Sequence, residues 1–468
     1  MASGKKKPCG FWRTGVSSIQ QTITPTPLKT VPSPLPPLAV VVALALGQAG
    51  LAQNPLLEVL KDENARGAEF WIYTDLAAAR AEARRTDKPL FVTFRCVPCA
   101  ACKGFDAEVA KNNQRIIKLA QEQFVAVRQV EMKGVDLSQF QFDYDLNWAA
   151  MFLNADGTVY ARYGTQSAQG PDAYNSIESL EKTMRRVLAL HQGYPANKAA
   201  LAGKLGKPKP YKTALEMPGM KHRTKLAGGT ARNNCVHCHN IHDAEHEQLR
   251  AAGRRNHDVL WRYPLPDNLG LRIDPGDGRV IRSVQANSPA AKAGLRPGDV
   301  LTHADNQALT SIADLQWVLH NLTNSEATVT LKAARGDRSI TKQLAMKAGW
   351  KKTDISWRGS LWSIKPVLAT WCAPMKENRV KSLHLAKGVK PLEVRWINTD
   401  RPEGRNAKRA GLRKGDIIIG MEGRPLRMSS QHFNMHVKLN YKVGDKLPLT
   451  LLRDGKRIQF DWPLTDRD

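Results

Sequence analysis

Long apolar runs are missing from this chain of 468 residues. Its most apolar stretch, Leu38 to Gly47, falls well short of the roughly 20 residues that span a bilayer, which argues against a permanent membrane anchor. Acidic residues are few, 43 against 70 Lys and Arg, leaving a formal charge of +27. Cysteine is scarce at seven residues, and five of these fall into two short clusters. No basic module interleaved with aromatics and no nucleic-acid motif occurs, so nucleic acid is set aside as a partner. There is no G-x-S-x-G pattern, and no Ser/His/Asp domain precedes the repeat described below. A protease is therefore excluded at this point.

The length exceeds what one hydrophobic core serves and predicts three or four domains. Basic residues (Lys5, Lys6, Lys7, Arg13, Lys29) precede the apolar run, and Ala49-Gly50-Leu51-Ala52 follows it. That order reads as a secretory signal over 1–52, cleaved after Ala52. The mature chain is then exported to the periplasm or cell envelope, where thiols are open to oxidation. Its basic field favours anionic partners.

Hydrophobic alternation divides the remainder. Residues 53–195 predict helix 75–86, strand 89–95, helix 100–121, strands 124–131, 150–154 and 158–163, and helix 175–191, a layered α/β unit. Asn154-Ala155-Asp156-Gly157 marks a hairpin. Residues 196–262 form a short helical Cys/His segment with a helix over 240–253. From 264 onward the chain repeats itself: Ala293-Gly294-Leu295-Arg296-Pro297-Gly298-Asp299-Val300-Leu301 returns as Ala410-Gly411-Leu412-Arg413-Lys414-Gly415-Asp416-Ile417-Ile418. Each copy follows an apolar strand and precedes a helix-like segment and a final strand. The copies occupy 264–348 and 376–468, separated by a Trp-rich linker, 349–375, whose tryptophans (Trp350, Trp357, Trp362, Trp371) read as packing. The fold class is multidomain, α/β followed by α+β/β.

The repeat resembles PDZ domains of the bacterial envelope type. Such domains add an extended peptide as a strand beside a sheet edge and capture its terminal carboxylate on main-chain amides. By this resemblance Leu269, Gly270, Leu271 and Ile273 form the carboxylate loop and binding strand of the first copy, with the helix near Ile312 as the opposite wall. The second copy has Ser382-Leu383-His384-Leu385 there and lacks the glycine. Envelope proteins, held through C-terminal or extended peptides, are the implied partners.

Residues 87–109 place Cys96, Cys99 and Cys102 between an apolar strand and a helix, after a Lys88-Pro89 lead-in. A helix N-terminus offers unpaired amides and a positive dipole end that stabilise a thiolate. The pattern resembles the thioredoxin-like superfamily. That resemblance makes Cys99 the nucleophile and Cys102 the resolving thiol, with Cys96 additional. It implies thiol–disulfide oxidoreductase chemistry. Trp148 stands where active members place a cis-proline, and Thr93 near the place of their buried acid. Three thiols at C-x-x-C-x-x-C spacing also suit a soft metal or a structural disulfide.

The second cluster, Cys235-Val236-His237-Cys238-His239, satisfies C-x-x-C-H, the attachment pattern of haem c. Cys235 and Cys238 would bond the porphyrin and His239 would ligate the iron, with Met217, Met220 or His222 as the distal ligand. Cys235, Cys238, His242 and His246 are equally a C-x₂-C-x₃-H-x₃-H set for zinc. Taken whole, the chain resembles exported bacterial proteins that join a thioredoxin-like domain to PDZ domains, some of them selenoproteins. The implied function is a thiol and haem redox protein docking envelope partners. The alternative is a non-enzymatic peptide-binding scaffold with structural disulfides or zinc.

Overall fold

A computed structural model describes residues 55–97, 103–253 and 257–467. The leader over 1–52, Cys99 and Cys102 lie outside these residues. Among the described residues no helix is long and apolar enough to cross a membrane.

Five strands form the first sheet: β1 (Ile72–Tyr73), β2 (Leu90–Arg95), β3 (Val125–Gln129), β4 (Trp148–Leu153) and β5 (Val159–Tyr163). Their spatial order is β1-β3-β2-β4-β5, with β1, β3 and β2 parallel and β4 and β5 antiparallel. Every residue of β2 and β4 is buried, so these strands read as continuous apolar runs rather than alternating ones. Leu90, Val92, Phe94 and Met151 feed one core layer, and Phe91, Ala126, Ala150 and Phe152 the other.

The flanking helices start at side-chain caps. Ala78 N donates to Asp75 Oδ1 at 2.8 Å ahead of Leu76–Thr86, and Ser179 N to Ser176 Oγ at 3.1 Å ahead of Ile177–Gln192. The helix expected over 100–121 is not continuous. Lys103–Ala107 widens into a π turn at Glu108–Asn112 and stops at Asn113, whose extended backbone and side chain cap a new helix, Gln114–Gln123.

Residues 196–262 complete this first unit instead of standing apart. Ala214, Met217, Met220, Val236, Ile241 and Ala244 pack into the same layer as Val92 and Met151. The segment's helix, Cys238–Ala251, thereby covers one face of the sheet.

The first repeat copy holds β6 (Leu271–Ile273), β7 (Ile281–Val284), β8 (Val300–Ala304), β9 (Gln307–Ala308), β10 (Ala327–Arg335) and β11 (Arg338–Met346). β6 pairs with β7, and the others run β11-β10-β8-β9. The second copy holds β12 (Thr370–Pro374), β13 (Leu392–Ile397), β14 (Ile417–Met421), β15 (Arg424–Pro425), β16 (Lys446–Arg453) and β17 (Lys456–Pro463), ordered β12-β13-β14-β16-β17 with β15 beside β14. β12 lies in the stretch read as linker yet is part of this sheet. Trp362 and Trp371, expected to pack, are 58% and 59% exposed.

One ion pair recurs in both copies. Arg335 grips Asp299 at 2.7 and 2.8 Å and donates to the Gly294 carbonyl; Arg453 grips Asp416 at 2.6 and 2.7 Å and donates to the Gly411 carbonyl. The acid's other task is to accept the amide of Arg296 or Arg413. That turn closes through Gly298 and Gly415, at φ of +87° and +94°, a backbone region glycine enters without strain.

The helix Ile312–Asn321 of the first copy docks on the edge of the first sheet. Asp314, buried, accepts from the Arg162 amide at 3.1 Å and from Lys204 Nζ at 2.7 Å, while the Arg162 guanidinium lies 3.7 Å over the Trp317 ring.

Candidate thiol centre and peptide groove

The chain leaves β2 at Arg95 and turns at Cys96. Beneath this turn lies a buried ionic network. Asp106 is fully buried and pairs with Arg95 Nε at 2.7 Å and Arg128 Nη2 at 2.8 Å, while Trp148 Nε1 donates to it at 3.2 Å. Arg128 also pairs with Asp62 at 2.7 Å. Burial alone would raise the Asp106 carboxyl, but Arg128 and Arg95 hold it below the ordinary carboxylate range. Thr93 is itself buried and donates to the Val127 carbonyl at 3.2 Å, so the buried acid of this region is Asp106, on the helix Lys103–Ala107. Trp148 forms its lid, opposite Arg95 in the β2–β4 ladder.

Cys96 meets the second cluster. Its Sγ lies 2.7 Å from His237 Nδ1, joining residues that the sequence holds far apart. The partner loop is held by Glu131, just past β3. Glu131 Oε1 accepts the Val236 amide at 3.0 Å and Oε2 the Thr230 hydroxyl at 3.0 Å, while Lys133 Nζ donates to the Gly228 and Asn234 carbonyls. His237 starts the Cys238–Ala251 helix, its amide bonded to Asn240 Oδ1 at 3.0 Å. Burial, then the parallel ring of His239 at 5.7 Å, lowers the His237 pKa, so its imidazole is neutral beside the thiol. Cys235 and Cys238 are free thiols, and burial pushes both upward, with Glu131 adding to Cys235 and Cys96 adding to Cys238.

Haem c does not fit this packing. Cys235 is buried, with Sγ 3.7 Å from the Val130 carbonyl, and Cys238 packs against the core of the sheet. Met217 and Met220 are core residues, while His222 is exposed and lines, with Met220, Asn240 and Asp243, a cleft of about 370 Å³. His239 Nδ1 is 3.1 Å from Asp243 Oδ2, and its ring sits against Gly359. The zinc set fails too. His242 Nδ1 is engaged by Glu245 at 3.0 Å and His246 Nδ1 faces Ser363, and the ligand atoms of the two histidines do not converge with Cys235 and Cys238. Among the described residues, the His/Cys/Asp/Glu group whose ligand atoms converge within 4.8 Å is Asp143, Asp145 and His242. The Arg358 guanidinium takes the place of a cation there, at 2.7 and 3.0 Å from the two carboxylates.

The residues expected to bind peptide run from the turn before β6 into that strand, and they lie deep. Leu269, Leu271 and Ile273 are almost fully buried, and Gly270, at φ +80°, leaves no room for a Cβ beside Ser288. Tyr174, from the first unit, packs among them. Sequence reading missed Tyr174, His237 and Asp106, because no local pattern pairs them with their partners.

A thioredoxin-like family model matches residues 71–155 and a PDZ domain model residues 267–345. A protein named probable periplasmic serine endoprotease DegP-like from Pseudomonas savastanoi pv. phaseolicola is 28% identical over 228 residues, 47% of this chain and 45% of that protein. A second protein of that name, from Pseudomonas fulva, is 42% identical over 83 residues, 17% of each. The chain spans less than half the length of these relatives. Among solved structures, an HtrA3 PDZ domain bound to a phage-derived ligand (FGRWV) is 21% identical, with a TM-score of 0.16, covering 20% of this chain and 81% of that one. The exclusion of a protease made from sequence is overturned by these relatives, which are named serine endoproteases. G-x-S-x-G is one local arrangement, whereas a Ser/His/Asp constellation is assembled in space from any chain order, so the lack of the pattern excluded too much. The chain carries a thioredoxin-like domain and a PDZ domain.

Proposed function

We propose that this is an exported thiol redox protein that docks envelope proteins through its PDZ domain. The observation that carries the thiol reading is the 2.7 Å approach of Cys96 Sγ to His237 Nδ1. An unprotonated imidazole at that distance can take the proton as the thiol attacks a partner's disulfide, the role of a general base. Cys99 and Cys102 follow as the nearest resolving thiols in the chain. The PDZ domain supports docking of an extended peptide. Export is supported by the leader and by relatives named as periplasmic. The test is alkylation of the reduced full chain by iodoacetamide at neutral pH, with sites read by mass spectrometry. Cys96 should label ahead of Cys235 and Cys238, and His237→Ala should slow it about tenfold or more, since a lost general base commonly costs more than that. Equal labelling of all the thiols, unaffected by His237→Ala, removes the thiol reading.

The relatives' names support a second reading, proteolysis. Casein degradation by the full chain together with labelling of a serine by a fluorophosphonate would establish it; neither signal would leave docking and thiol chemistry alone.

A further inference from the structure

A PDZ groove runs between the binding strand and a helix and is closed at one end by the carboxylate loop. In the 267–345 domain these walls are β6, the helix Ile312–Asn321 and the turn leading to Leu269-Gly270. One loop from the thioredoxin-like unit, 165–175, touches all three. Tyr174 OH donates to Asp267 Oδ2 at 2.9 Å at the carboxylate turn. Arg272 of β6 donates to Gln169 Oε1 at 3.0 Å. Thr165 Oγ1 donates to Gln316 Oε1 of the helix at 2.7 Å. The loop is closed on itself, because the Thr165 amide donates to Asn175 Oδ1 at 3.0 Å and Asn175 Nδ2 to the Pro171 carbonyl at 3.1 Å. Tyr174, 5% exposed, belongs to the buried cluster of this domain that includes Leu269, Leu271, Ile312 and Leu315, and Ala173 packs against that cluster. No strand other than β7 pairs with β6 among the described residues, so the loop reaches this domain through side chains and not as an added strand.

We propose that the 165–175 loop is an internal ligand of the PDZ groove. Its contacts define the partner, an extended peptide whose aromatic, hydroxyl-bearing side chain takes the place of Tyr174 against Asp267. This rests on the peptide-docking reading above. A groove occupied by its own chain binds a competitor with an affinity reduced by the fraction of time it stands open.

The probe is a fluorescein-labelled peptide of residues 167–174 with a free terminal carboxylate, followed by anisotropy against the full chain. Tyr174→Ala should bind it about tenfold or more tightly than the wild type, the closed fraction being removed. Gln169→Ala combined with Thr165→Val loosens the loop without touching the tyrosine site, should shift affinity the same way, and carries the test if Tyr174→Ala does not fold. In the wild type, excess peptide should speed hydrogen exchange of the 165–175 amides. Equal affinity of the wild type and the variants overturns self-occupancy and leaves peptide docking standing. Absence of binding by any of them removes both.

Discussion

Arg128 sits at the centre of the buried network under Cys96, shared between Asp62 and Asp106. Removing one partner of a buried ion pair leaves its counterpart charged and unsolvated. Arg128→Ala should therefore cost about 3–5 kcal/mol in urea denaturation. Arg128→Lys should recover only part of this, because an ammonium cannot reproduce the forked contact with two carboxylates. His320 gives a pH dependence. Its Nδ1 accepts the Tyr263 amide at 3.4 Å and its ring stacks on Tyr263 at 4.1 Å, an arrangement that needs the neutral imidazole. Burial, then Arg262 and Lys351, push its pKa down to about 3. The unfolded chain, with an ordinary value near 6.5, takes up the proton first. The associated stability is thus whole above about pH 6.5 and lost progressively as pH falls towards 3. The fall in melting temperature between pH 7 and 5 should be smaller in His320→Gln than in the wild type.

Among the elements, the repeated Asp–Arg pair makes the two copies directly comparable. Asp299→Ala and Asp416→Ala each remove two charge-assisted bonds and the acceptor for a turn amide. Each should lower stability by about 2 kcal/mol, read as a shift of the urea midpoint. A large difference between the two would mean that the shared sequence does not do shared work. Most elements could be read from the chain itself. Strands β2 to β5 and the helices Leu76–Thr86 and Ile177–Gln192 fall within a few residues of their expected places, because burial and capping are written locally. β1 was not foreseen, since two residues carry no periodicity. The break at Asn113 was not foreseen either, as the apolar pattern runs through it. The thiol centre was legible only by halves. C-x-x-C-x-x-C and C-x-x-C-H each announce chemistry, but the contact of Cys96 with His237 depends on Glu131 anchoring a distant loop, and no spacing rule encodes that. The spacing of the second motif points to haem c or zinc, while its neighbours in space, Cys96 and Glu131 among them, are not written in that spacing.

At the scale of the molecule, Asp314 joins the PDZ domain to the first sheet through Lys204 and the Arg162 amide, all buried. Asp314→Ala strands the Lys204 ammonium in the interior. Besides a loss of about 3–5 kcal/mol, it should split a single calorimetric transition into two, as the units lose their shared anchor. Arg358 carries the same logic further along the chain. It comes from the stretch between the repeat copies, enters the first unit, and is held by Asp143, Asp145 and the Arg262 carbonyl. A gene cut at 348, where the sequence invites dissection, would express a fragment whose Asp143 and Asp145 carboxylates have lost their guanidinium and keep His242 beside them. That fragment should be insoluble alone and recovered in soluble form when residues 349–468 are co-expressed, so the two halves are complementary parts of one folding unit.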